Sequence, residues 1–371
     1  MKACDRHSLT SGSAMLPEAF LLESKWEPFS MAIDSNAYSL ADYALNSNSP
    51  MVRAITYSLI ESGNVLQDMP ILTQATMIAN GVRFEGNLPS VNWSALNSEG
   101  VTTRGTPTPY AEQVYVIRNY IDVDKLYVED VNSIQDPRAT QTEAYMKAYT
   151  YDMNDKFFNN DHIAGNANAP VGIKFRINNG GIFGVRPENS IKAGTSGLDI
   201  SQAALTTAAT ISNGNILIEF LDQLLWSVDS PTGTGVVLYM NEVARRRVNF
   251  AIRALGTSGG FDVSKDMFDR SIEMYKNATI RDPGYKADQV TRIIPKNEDV
   301  NGNTGGTTYT SIYAVNTSAD HMHAWQFSEI NARDLGLLNN DVIYRTSISW
   351  AVGMMNNSTR SLARLYGLNL G

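Results

Sequence analysis

Three observations in the sequence predict an α+β protein. Residues 136–160 carry a long helical pattern that runs into the turn Ala169-Pro170-Val171-Gly172-Ile173. Residues 341–354 alternate as a strand does, with Val342, Tyr344, Thr346, Ile348, Trp350 and Val352 on one side. Between them, from residue 235 onward, strands and helices succeed one another as in a small α/β insertion.

The long helix has its own start signals. Asp136 is a good cap acceptor, and Pro137 stands where a missing N–H costs nothing. Ala139, Thr142, Met146, Tyr149, Met153 and Phe157 recur at helical spacing, opposite Gln141, Lys147, Asp155 and Lys156. At ~1.5 Å per residue such a helix is roughly 35 Å long, enough to run the length of a subunit.

Composition bounds the rest. With 371 residues the chain buries a sizeable core in two lobes or one elaborated domain. Apolar content of 43% and charged content of 18% are ordinary for a folded protein. A net charge of −8 argues against a protein whose task is gripping phosphates, although it allows a container that repels its cargo. The single cysteine, Cys4, excludes intramolecular disulfides and cysteine-rich zinc motifs. No apolar run approaches the ~20 residues that cross a bilayer, and residues 1–13 are too polar for a signal peptide, so synthesis in the cytoplasm and no membrane partner are expected.

Residues 1–38 have little periodicity, with scattered Phe20, Trp26 and Phe29, and are expected to form an arm. Helical signals follow in residues 39–70, where Pro50 suits the start of a helix over 51–62. Strand patterns at 81–85 and 114–123 then flank residues 86–109, rich in Gly, Pro, Ser, Thr and Asn. That segment is too long for a hairpin turn, and loops of such length usually serve a function or extend away from the body. Trp93 and Leu96 within it need a surface to cover, for which a neighbouring subunit is the candidate.

Beyond the long helix, residues 199–226 are mainly helical, with Leu217, Phe220, Leu221, Leu224 and Leu225 on one stripe. A strand at 235–240 leads to Asn241, which caps a helix over 242–255. A further helix is expected at 265–277, then strands at 292–295, 310–316, 323–327 and 360–368.

Catalytic signatures are weak. Gly256-Thr257-Ser258-Gly259-Gly260 satisfies the nucleophile-elbow pattern, but that motif needs a strand before the serine, and here a helix precedes it. His321 and His323 share a strand face without an acidic or cysteine ligand at metal-binding spacing. Asp122 and Asp124 pair on one strand face with no identifiable acid/base partner. Gly302-Asn303-Thr304-Gly305-Gly306 lacks the Lys-Ser/Thr ending of a phosphate loop. Arg245-Arg246-Arg247 is the densest basic run, but consecutive helical residues fan out around the axis and form no groove-reading stripe.

Taken in order, these segments resemble the major capsid proteins of tailed double-stranded DNA phages with the Hong Kong 97-type fold, over about residues 40–370. Stretches such as Gly86-Asn87-Leu88-Pro89 and Ser133-Ile134-Gln135-Asp136-Pro137-Arg138 add to the likeness. The resemblance implies an E-loop at 71–125, a peripheral domain with its spine helix at 126–196 and 324–371, and an axial domain at 197–323. It places residues 1–38 as an N-terminal arm and 39–70 as a helical N-terminal region.

The resemblance further implies self-assembly into pentamers and hexamers of an icosahedral head, found in the virion after assembly in the host cytoplasm. Double-stranded DNA would be enclosed without sequence-specific binding, and scaffold, portal and decoration proteins are the further partners. Neither enzymatic activity nor a cofactor is implied. Trp93, Arg104, Arg245, Arg246 and Arg247 are the expected assembly contacts. An encapsulin-like nanocompartment shell is the alternative within the same fold, and a serine hydrolase using Ser258 is the alternative from another class.

Overall fold

The computed structural model describes residues 65, 68–83, 88–130, 136–178, 184–206, 211–254, 261–265, 271–338 and 341–371. The chain divides into two units, Met1–Ala32 and Ile33–Gly371, and every described residue belongs to the second. The expected arm, the helix at 51–62 and the Ser258 loop lie outside the described residues.

Helix α2 (Pro137–Asn159) follows a short α1 (Lys125–Glu129). The Asp136 carboxylate accepts from the Arg138 N–H at 2.9 Å, and Pro137 opens the first turn. Met146, Thr150, Met153, Asn154, Phe157 and Phe158 form its buried face. The chain then reverses around Asn160, whose side-chain amide donates to the carbonyls of Asn166 (3.0 Å) and Pro170 (2.8 Å). Gly172 closes the turn by donating to the Asn160 carbonyl at 3.0 Å. A Cβ there would lie 2.6 Å from the Asn160 nitrogen and 2.8 Å from its oxygen, so only glycine allows the approach. Helix α3 (Ile173–Asn178) starts at once.

Two sheets flank this spine. The four-stranded sheet has the order β1 (Ile71–Thr73), β12 (Met322–Leu338), β13 (Ile343–Asn356), β4 (Tyr115–Asp124). Its inner face, with Ile117, Ile121, Ile348 and Trp350, packs on Tyr145, Met146 and Tyr149 of α2. Thr346, Ile348, Trp350 and Val352 are buried, as their alternation predicts, whereas Val342 at the strand entrance is exposed.

The larger sheet runs β5 (Ser190–Lys192), β14 (Leu362–Asn369), β11 (Tyr309–Asn316), β7 (Val236–Tyr239), β10 (Ala278–Arg281), β9 (Ser271–Tyr275), β8 (Phe261–Lys265), with β6 (Leu198–Asp199) also on β14. Its central strands are covered on both faces. Val237, Tyr239, Tyr313 and Val315 face the α2 core. Leu238, Met240, Ile312 and Ala314 face the core built with α5 (Ile211–Ser227) and α6 (Glu242–Ala254). Double burial explains why these strands read as continuous apolar runs. Helix α4 (Gln202–Thr206) completes the lobe, and Asn241 caps α6 by accepting from the Ala244 N–H at 2.8 Å.

Two expected elements differ. Residues 265–277 contain no helix among the described positions; they contribute to the β8–β9 hairpin and the turn into β10. Lys276, at a φ of 54°, occupies the turn between Tyr275 and Ala278, and pairing across it overrides the local helical spacing. Residues 292–295 form no strand, only an isolated bridge between Arg292 and Tyr285. Ile293 and Ile294 are both buried in the core around α2, so the apolar pair reports burial and not strand pairing. β14 pairs antiparallel with β11 along its length.

Candidate assembly surfaces

Strands β2 (Ile78–Arg83) and β3 (Thr108–Gln113) form a separate antiparallel hairpin whose base is fastened to the body. Ala79 packs on Trp325 and Met355, and the Tyr110 hydroxyl donates to Asn357 at 2.8 Å. Gly81 lies under the Tyr110 ring, where a Cβ would approach to 2.2 Å. Deepest is a fork between Arg176 and Glu112, at 2.6 Å and 3.0 Å, with both side chains buried. Arg176 also donates to the Val171 carbonyl at 3.1 Å, so α3, the spine turn and the hairpin meet at one guanidinium.

Beyond that base the chain touches almost nothing of its own. Trp93 is 97% exposed and Leu96 95%, and Leu88, Val91 and Val101 are exposed as well. Arg104 is exposed in the same loop. These apolar side chains are exposed together on an anchored hairpin, and exposed apolar patches of this kind are typical of interaction surfaces.

Residues 48–210 match the family described as "Major capsid protein GP7". Among solved structures, the capsid of cyanophage A-1(L) is similar with a TM-score of 0.55 at 12% identity, covering 87% of this chain and 94% of that one. The capsid of a native GTA particle follows at 0.53 and 9% identity, over 87% and 92%. The fold is that of a Hong Kong 97-type major capsid protein. The SrpI encapsulin of Synechococcus elongatus shares it, at a TM-score of 0.52 and 11% identity over 81% and 85% of the two chains. Comparison with curated sequences finds no match.

The arginine run sits on α6 and separates there. Arg245 donates to Glu273 of its own chain at 2.6 Å, which also accepts from Asn249 at 3.2 Å. Its guanidinium holds the Glu273 carboxyl below the usual range. Arg245 thus has a carboxylate partner within its own chain. Arg246 is exposed and Arg247 half-buried, so the three side chains do diverge around the helix.

The polar clusters inside the subunit act as joints. Arg364 on β14 reaches Glu298 at 2.9 Å and the Gly302 carbonyl at 2.6 Å; Lys174 of α3 reaches the same carboxylate at 3.3 Å, and Ser311 donates to it. Burial pushes the Lys174 ammonium below its ordinary range, opposed by Glu298. The glycine-rich loop thus cradles a guanidinium of its own chain. His323 is buried on β12, and Asp122 is taken by Arg345 through two bonds of 2.6 Å. No group of three or more metal-ligating side chains occurs among the described residues. None of the described helices is long and apolar enough to cross a membrane.

Nothing in the sequence points to Arg176, Glu112, Glu298 or Arg364, because their pairings join residues far apart in the chain. Trp93 is legible because a tryptophan in a polar loop is anomalous by itself.

Proposed function

We propose that this capsid protein builds an icosahedral phage head from pentamers and hexamers of itself, around double-stranded DNA that it does not read. The carrying observation is the anchored hairpin with its exposed loop at residues 88–107, led by Trp93 at 97% exposure. In this reading the loop lies on an adjacent subunit, where Trp93 and Arg104 make contacts, while Arg246 and Arg247 contribute from α6. The role is structural rather than enzymatic. Scaffold, portal and decoration proteins are its further partners, with assembly in the host cytoplasm.

Removing residues 91–106 tests this, because their composition contributes no core. A folded subunit that forms no stable shells is the expected result; normal shells would contradict it. The likeness to an encapsulin favours a second reading, a nanocompartment holding protein cargo. Nuclease-protected DNA inside purified particles supports the head, and protein cargo without DNA supports the compartment.

A further inference from the structure

Leu217, Leu221, Leu224 and Leu225 lie fully buried along one face of α5. Gln223, Trp226 and Ser227, spaced by three and four residues, fall beside that stripe and share a second face at the last turn of the helix. Trp226 is left 65% exposed, whereas Trp325 and Trp350 are buried. Such exposure is unusual, because the large apolar body of an indole gains most from cover. The ring does not stand on a knob. It lines a recess of about 560 Å³, with Gln223 and Ser227 on its own side and Arg186, Glu188, Thr359 and Arg360 on the other.

The far wall comes from two turns that are tied to each other. One is the single 3-10 turn Pro187–Asn189, and the other, residues 357–361, joins β13 to β14. The Arg186 N–H donates to the Thr359 carbonyl at 3.2 Å, and its side-chain Nε donates to the Thr359 hydroxyl at 3.2 Å. The buried Asn189 amide donates to the carbonyls of Leu362 (2.6 Å) and Thr359 (3.3 Å). These bonds form the wall before any ligand arrives, and the volume falls in the range of small-molecule sites.

Charge and lining together select the ligand. Arg360 donates to Asp229 at 2.9 Å, and Glu188 offsets Arg186 within the same lining. Cations and carboxylates therefore cancel, and a phosphate gains little here. A wholly apolar ligand would strand the guanidinium, carboxylate, amide and hydroxyl groups of the walls. A sugar ring meets both demands. Its C–H face covers an indole, while its hydroxyls donate to a carboxylate and accept from amide and guanidinium N–H groups.

We propose that the Trp226 recess binds a neutral oligosaccharide, with the indole as its platform and Gln223, Glu188 and Arg186 as the groups that select its hydroxyls. The recess shares no residue with the exposed loop at residues 88–107, so the site is independent of the assembly reading.

The purified protein is applied to a microarray of bacterial and animal glycans, and the best-bound free oligosaccharide is then titrated into wild type and variants by calorimetry. Adenosine monophosphate is titrated alongside, because a base would stack on the same ring. Wild type is expected to bind at least one neutral glycan and to prefer it to the nucleotide. Trp226→Ala should weaken that binding at least ~10-fold, and Trp226→Tyr, which keeps a ring, should retain most of it. Leu126→Ala, an exposed change elsewhere, should bind as wild type does. Equal melting temperatures establish that the variants fold. Absence of any neutral glycan bound by wild type overturns the proposal, and so does binding that survives Trp226→Ala. Preference for the nucleotide or for anionic glycans also overturns it, and makes the recess an anion site. Failed particle assembly in Trp226→Ala, with no glycan bound by wild type, overturns it as well and makes the recess a seat for a second copy.

Discussion

Gly172 and the Arg176 fork carry disproportionate weight for single residues. In Gly172→Ala the added carbon meets backbone atoms of Asn160 and Phe158, which cannot rotate away. A cost of about 1–3 kcal/mol is expected, read as a lowered melting temperature. Gly100→Ala, with nothing within 4 Å of the new carbon, is the neutral control. Arg176→Met strands the buried Glu112 carboxylate and should cost about 3–5 kcal/mol, whereas Arg176→Met with Glu112→Leu should recover most of it. If the double variant is no more stable than the single one, the fork holds the hairpin base by more than charge.

Proton linkage at His323 is a second property of one residue. Burial holds its imidazole below the ordinary value of 6.5, opposed by a hydrogen bond to Ala319 and the charge of Asp320. The unfolded chain therefore takes up the proton first as pH falls. The contribution is complete above about 6.5 and is lost between there and the lower folded value. Denaturant midpoints at pH 7.5 and 5.5 should differ less in His323→Gln than in wild type; equal differences would remove His323 as the cause.

Elements meet at Phe158. Its ring lies 5.1 Å from Tyr239 and 5.6 Å from Tyr313, which ties the spine helix to the eight-stranded sheet. Phe158→Ala should cost about 3–5 kcal/mol in chemical denaturation, well above an exposed change such as Leu126→Ala. Comparable losses from the two would mean that the helix and sheet are joined elsewhere.

The sequence reveals elements whose signals are local. Asp136, Pro137 and Asn241 mark helix starts by their own side chains, and β13 alternates because one face is wet. The β8–β9 hairpin is hidden because its pairing depends on β10, which itself pairs with β7 in parallel across the chain. Residues 292–295 mislead because two buried isoleucines look like a strand when only their burial is seen. The base of the loop is hidden for a third reason: Glu112 and Arg176 are 64 residues apart and meet only in three dimensions.

For the molecule as a whole, the net charge of −8 and the divergence of the arginine run predict weak, sequence-independent binding of duplex DNA by isolated subunits. Tight binding with a steep salt dependence would contradict this. The central claim is the proposed role of the protein as a shell subunit, and negative-stain microscopy of the purified protein, alone and with candidate assembly proteins, addresses it most directly. Closed particles or ring-shaped capsomers are the predicted result. A strictly monomeric species at every salt and protein concentration, with the companion assembly proteins supplied, would contradict the account.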